Sequence, residues 1–146
     1  RTWRNFSERG EGYVQFTTDP VLFVEAALSI HELAEPRLPE AHAWVRVNPE
    51  QIASGTADGT PWVDWLLPAS QSAIESQAVP TVSRAYGAVI EGTVAASRLD
   101  VEGYDSAELR ERLEYFEGVV ERCGGPAERA AFDRLGEHVD LEPREN

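Results

Sequence analysis

The chain contains no lysine. All 13 of its basic residues are arginine, set against 26 aspartates and glutamates, which gives a formal net charge of -13 over 146 residues. Such a surface repels polyanions, so nucleic acid and anionic membrane are poor partners. Acid excess without lysine fits a high-salt cytoplasm in which carboxylates keep a protein hydrated; the other source of such a bias is a GC-rich genome that favours arginine codons. Methionine is also absent, even at position 1, and we therefore expect a fragment or processed product whose first element is incomplete. The lone cysteine, Cys123, rules out an internal disulfide framework and fits a reducing compartment. No apolar run approaches the ~20 residues of a membrane span and no signal peptide is visible, so the expected location is cytoplasmic.

What is present suits a globular chain. With 42% hydrophobic and 27% charged residues, it is long enough to bury roughly 70% of its unfolded surface around a real core. Thr2 is a good N-cap, and Asn5 to Arg9 complete a short helical turn that Gly10 ends, a hairpin being the alternative. Tyr13 to Thr18 alternates as a buried strand with Val14 and Phe16 on one face. Asp19-Pro20 then starts a helix whose stripe is Phe23, Ala26, Ala27 and Ile30, running to about Leu33 and stopped by Pro36 and Pro39. Ala41 to Asn48 alternates as another strand. Glu50 to Thr60 holds several turn signals, Asp58-Gly59 among them, and is expected to be a surface connection, whereas Trp62 to Leu67 suits a strand better than a helical turn.

From Pro80 the period becomes helical. Val82, Tyr86, Val89, Thr93 and Ala96 follow steps of four and three, with Gly87 and Gly92 expected to permit close packing; a hairpin at Glu91-Gly92 is the alternative. Asp105-Ser-Ala-Glu108 resembles a capping box, and Leu109, Leu113, Phe116, Val120 and Cys123 form the stripe behind it. Gly124-Gly125-Pro126 ends that helix and starts the last one, from Ala127 to about His138, with Phe132 and Leu135 inward. The expected division is a sheet-rich portion at 1–78, a helical subdomain at 79–140 and a flexible tail at 141–146.

Few residues form a chemical set. His31-Glu-Leu-Ala-Glu35 has glutamate where a zinc-protease helix needs its second histidine, and His42 and His138 lie far off in sequence, so no metal site is expected. Cys123 on its apolar stripe reads as inert core. There is no nucleophile elbow, phosphate-binding P-loop or dinucleotide fingerprint. Glu108 and Arg112 are spaced for an exposed helical ion pair. Trp62 and Trp65 are more suited to core or subunit-interface packing than to stacking on a flat ligand. Arg1, Thr2, Arg4 and Asn5 differ from all of these: a hydroxyl, two guanidinium groups and free backbone N–H groups at a helix start are what a phosphate monoester needs.

The order of segments carries more than any motif. The Thr2-x-x-Asn5 turn, the Gly10-Glu-Gly-Tyr-Val-Gln-Phe-Thr-Thr-Asp-Pro20 run and Leu22-Phe-Val-Glu-Ala-Ala-Leu28 resemble the FMN-binding split-barrel proteins related to flavin reductases. Within that group the chain looks most like a largely archaeal family, domain of unknown function four-four-seven. Ser83 to Leu99 and Arg112 to Pro126 resemble the helical C-terminal portion of that family. The resemblance implies an α+β fold: a six-stranded split β-barrel that forms a homodimer with FMN at the subunit interface, followed by a helical subdomain. It implies that Thr2 contacts the FMN phosphate, Arg1 neutralises it and Asn5 braces the turn. It also implies an oxidoreductase of unidentified small-molecule substrate, with no catalytic acid or base required. Gln15 departs from the asparagine usual in that strand, and the family's barrel begins with strands upstream of the turn. The alternative is a non-enzymatic homodimeric module whose aromatic strands form the interface.

If the acidic surface reflects adaptation to salt, the melting temperature rises steeply between dilute buffer and molar potassium chloride. A melting temperature indifferent to salt would assign the bias to codon usage.

Overall fold

The computed structural model describes residues 2–29, 36–57, 59–77, 79 and 81–139. The chain forms two compact units, Arg1–Thr17 with Leu33–Val79, and Thr18–Glu32 with Pro80–Asn146. The helix after Asp19-Pro20 thus groups with the C-terminal helices.

The first unit is built on short antiparallel strands. After α1 (Thr2–Arg9), β1 (Gly12–Phe16) pairs with β2 (Ala43–Val47), and β2 pairs with β5 (Ala69–Ile74), giving the order β1-β2-β5. Val14 lies opposite Val45 and Gln15 opposite Trp44, which fixes the two faces of this sheet. β3 (Glu50–Ala57) and β4 (Thr60–Leu66) form a separate two-stranded ladder. Among the described residues no closed barrel forms; the strands make two small sheets in an α+β fold.

Two sequence expectations change here, and one strand appears that the sequence did not announce. The expected connection at 50–60 is largely strand: Gly59, at φ +81, sits at the turn, and Gln51, Ser54 and Thr56 pair with Trp65, Val63 and Pro61. Its polar and small side chains show no apolar alternation because this strand is exposed along nearly all its length. β5 is polar for the same reason and carries no hydrophobic signal of its own. Val14 and Phe16 do share a face, but they are 36% and 52% exposed and are not buried within this chain.

The second unit packs α2 (Pro20–Leu28), α3 (Arg84–Ala96), α4 (Ser106–Cys123) and α5 (Pro126–His138) around one core. Local caps set its boundaries. The Asp19 carboxylate accepts from the N–H groups of Val21 and Leu22, at 2.8 and 3.1 Å, and Pro20 takes the first helical position. Ser83 caps α3 through Tyr86 N–H, and Asp105 caps α4 through Ala107 and Glu108. The α3 helix runs unbroken through Glu91 and Gly92. Val24, Val89, Leu113, Val120, Phe132 and Leu135 are almost completely excluded from solvent, each burial contributing about 1.5–3 kcal/mol.

The inward face of α2 is Val21, Val24 and Leu28, whereas Ala26 and Ala27 are exposed. The helix is apolar almost all round, so its period could not single out one stripe; Ile30 and Leu33 lie outside the described residues. Val82 precedes the α3 cap and is fully exposed. Cys123 is exposed as well, contrary to its expected place in the core. Burial along α4 ends with Val120, at 0% exposure, and Cys123, the last residue of the helix, lies beyond it. The expected Glu108–Arg112 pair forms at 2.7 Å on the surface.

The two α3 glycines separate cleanly. A Cβ on Gly92 would stand 3.0 Å from the Phe132 ring, while one on Gly87 would meet nothing within 4 Å. Gly92 is thus a packing residue and Gly87 is not. Gly87→Ala should stabilise the protein by about 0.5–1 kcal/mol through helix propensity. Gly92→Ala should destabilise it by about 1 kcal/mol because Phe132 has no room to retreat. Denaturant midpoints of the two variants check both signs.

Candidate functional site

The helix start singled out in the sequence is seated by aromatic contacts. Only eight residues long and with none fully buried, α1 is too short to persist alone and needs tertiary support. Gly10, at φ +67, ends it, with its N–H donating to the Phe6 carbonyl at 3.1 Å. Phe6 occupies the space that a side chain on Gly12 would fill. The same ring meets Trp65 of β4 edge-on, with centroids 5.6 Å apart and planes at 75°. Phe6 thereby links α1 to the first residue of β1 and to the second ladder.

Between α1 and β4 lies a cavity of about 470 Å³, lined by Thr2, Trp3, Phe6, Pro61, Val63 and Trp65. Pro61, Val63 and Trp65 alternate along β4 and so present one face to it. The volume falls within the ~300–1,000 Å³ typical of small-molecule sites, and the lining is mainly apolar and aromatic. Thr2 contributes the one hydroxyl. Arg4 and Asn5 stand exposed on the same first turn, without side-chain hydrogen bonds among the described residues, while Arg1 lies outside them. The first turn carries no acidic residue, so the positive end of the helix is not neutralised from within. Trp62 faces the other side of β4, 41% exposed, its indole lying against Gly55. The two tryptophans therefore have different surroundings: Trp65 is part of the cavity wall and Trp62 is not.

The opposite face of the three-stranded sheet holds a polar and aromatic group that the sequence did not single out. The Gln15 amide donates to the Pro36 carbonyl at 3.1 Å and accepts from Leu38 N–H at 2.6 Å, holding the 36–38 segment as a paired strand would. Its extra methylene relative to asparagine gives it the reach. Trp44 is buried beside Tyr13, carries the Arg37 guanidinium over its ring and donates its indole N–H to Glu75 at 2.9 Å. Glu11 bonds Arg46, and that hydrogen bond, followed by the carboxylate's charge, holds the guanidinium still further toward its charged form. His42 Nδ1 and Ser76 Oγ are 2.6 Å apart. The hydrogen-bonded partners lie 21 to 35 residues apart in sequence, and the only sequence signal was the even spacing of Gln15 and Tyr13 along β1. His31 lies outside the described residues, among which no three His, Cys, Asp or Glu side chains gather as a metal site. Nor is any described helix long and apolar enough to cross a membrane.

Residues 1–75 match the N-terminal domain of the protein of unknown function (DUF447), residues 83–137 match protein of unknown function (DUF447), and the chain belongs to this family. Among solved structures it is similar to FMN-bound protein MM1853 from Methanosarcina mazei, a DUF447 protein. The two share 26% identity with a TM-score of 0.76, over 94% of this chain and 76% of that one. No curated protein matches.

The Gly12 contact is open to direct test. Gly12→Ala should push Phe6 off β1 at a cost of about 1–3 kcal/mol and alter tryptophan emission through Trp65. Unchanged emission and stability would show that Phe6 can move aside without loss.

Proposed function

We propose that the protein binds FMN at the start of α1 and acts as a flavin-dependent oxidoreductase on a small redox substrate. The supporting observation is the aromatic-walled cavity beside a helix start bearing Thr2, Arg4 and Asn5, in a chain similar to an FMN-bound DUF447 structure. The residues present fit the cofactor's two chemical ends. Thr2 and the first-turn N–H groups would hold the phosphate, with Arg1 and Arg4 neutralising its charge and Asn5 bracing the turn. Trp3, Phe6, Val63 and Trp65 offer the ring an apolar wall that excludes water. Bound FMN supplies the electron and hydride chemistry, and the chain supplies binding and orientation.

In this reading the two small sheets belong to a split barrel of the FMN-binding type, and the protein works as a homodimer in the cytoplasm. Val14, Phe16 and Ile74 support the dimer: register places them on one sheet face, and Ile74 is 73% exposed. Such a row of exposed apolar side chains is suited to cover by a second copy.

Purified protein should gain flavin absorbance on titration with FMN, with flavin emission quenched by the neighbouring tryptophans. Combining Arg1→Ala with Thr2→Ala should weaken FMN binding by about 10- to 100-fold, as loss of charge-assisted hydrogen bonds to the phosphate would. Light scattering with and without FMN separates this from the non-enzymatic alternative. A stable dimer that takes up no FMN would overturn the flavin reading.

A further inference from the structure

The cavity between α1 and β4, at about 470 Å³, is larger than the one of about 310 Å³ beside Trp44, and none of its six lining residues is charged. We propose that it takes the dimethylbenzene edge of the flavin, with the pyrimidine edge left outside it, and that Pro61 and Val63 select a cofactor carrying the two ring methyl groups. This rests on the FMN reading above and adds to it which end of the ring the chain recognises.

The walls make a ring enter edge-first. Phe6 and Trp65 meet with planes at 75° and centroids 5.6 Å apart, so the two rings are already in contact and form a corner. A flat ring system slides between parallel walls, but it does not pass between two that touch. It presents an edge to the corner and lies along one of them. The corner keeps its shape because Phe6 is seated against the bare backbone of Gly12, which has no room for a Cβ.

Chemistry then decides which edge. The pyrimidine edge of a flavin carries two carbonyl oxygens and the N3–H, and the N3–H needs an acceptor. Trp3 and Trp65 bring indole N–H groups, which only donate, while the side chains of Phe6, Pro61 and Val63 bring carbon alone. Backbone carbonyls of β4 lie in the plane of its ladder with β3 rather than on the cavity face. That leaves the Thr2 hydroxyl, which the FMN reading gives to the phosphate. Buried here, the N3–H would lose its bond to water without a replacement. The dimethylbenzene edge has no polar atom to strand, and its methyl groups would leave water against Pro61 and Val63. Those two residues stand on the same face of β4 as Trp65, at every second position.

FMN lacking both ring methyl groups and FMN methylated at N3 alter one edge each. Titrated into full-length protein and followed by flavin fluorescence, FMN should bind about tenfold more tightly than the form without ring methyl groups, the value of burying two of them. Methylation at N3 should cost less than about threefold, because that nitrogen bonds nothing in the cavity. Val63→Ala should cut the preference for the methylated ring to about threefold or less, since it removes one surface that the methyl groups lie against. Exposed Pro61→Ala is a second variant should the first fail to fold. Equal affinity for FMN and the form without ring methyl groups, a greater loss from the N3 methyl than from removal of the ring methyls, or a preference unchanged in a folded variant would overturn the proposal and leave FMN binding standing. No uptake of any of the three flavins would overturn the FMN reading itself, and this proposal with it.

Discussion

The contact of the Phe6 ring with the bare backbone of Gly12 is the constraint on which the candidate site depends. A helix of eight residues cannot persist by its own hydrogen bonds, since nucleation costs more than two turns return. Its place is set by tertiary contact, and Phe6 provides that at two points, Gly12 of β1 and Trp65 of β4. The position of Thr2, Arg4 and Asn5 follows from it, as does the gap between helix and ladder that forms the larger cavity. A methyl group at position 12 would act on all of these together, although none of them touches Gly12 directly.

Elements with local determinants were legible in the sequence. Asp19 and Asp105 mark helix starts by accepting from N–H groups two and three residues on, and Gly125-Pro126 marks one by the proline at the first helical position, with Gly125 N–H donating to Glu128. Strands β3 and β5 were not legible, because an exposed strand needs only a partner and its side chains need no pattern. The residues at the helix start were visible as a group, and so was the strand that carries Trp65. Their meeting was not, since the ladder comes from some sixty residues further on, and no periodicity reports which strand a helix will lie against. Gln15 makes the same point on a smaller scale: it looked like a departure from a related pattern, and its added length is what lets it hold the 36–38 segment.

Arginine performs most of the electrostatic work in a chain with twice as many acids as bases. Arg134 joins Glu25 of α2 to Glu137 of α5, and the hydrogen bonds to those two carboxylates, Glu25 first, raise its affinity for its proton still further. Arg129 bonds the carbonyls of Glu121 and Gly124, supplying donors to the end of α4 that its own backbone cannot provide. The Arg37 guanidinium carbon lies over the Trp44 ring, 5.0 Å from its centroid. A planar fork with several directed donors suits each of these tasks, where a lysine would bring a single point of charge. Isolated surface pairs of this kind contribute little to stability each; their effect is on which elements stay together.

The discontinuity of the helical unit has a consequence for how the protein is made. Helix α2 leaves the ribosome early, yet its partners α3 and α5 begin only at Arg84 and Pro126. Until synthesis reaches α5, Val21, Val24 and Leu28 lack the full core that will cover them, while every segment of the sheet unit has been made by Val79. Order of assembly therefore need not follow order of synthesis: the strands have all their parts first, and α2 must wait for α5. Closing contacts across so much chain is also slow compared with pairing neighbouring helices. A nearly all-apolar helix that remains uncovered during this interval is the part of the nascent chain most in need of protection by a chaperone.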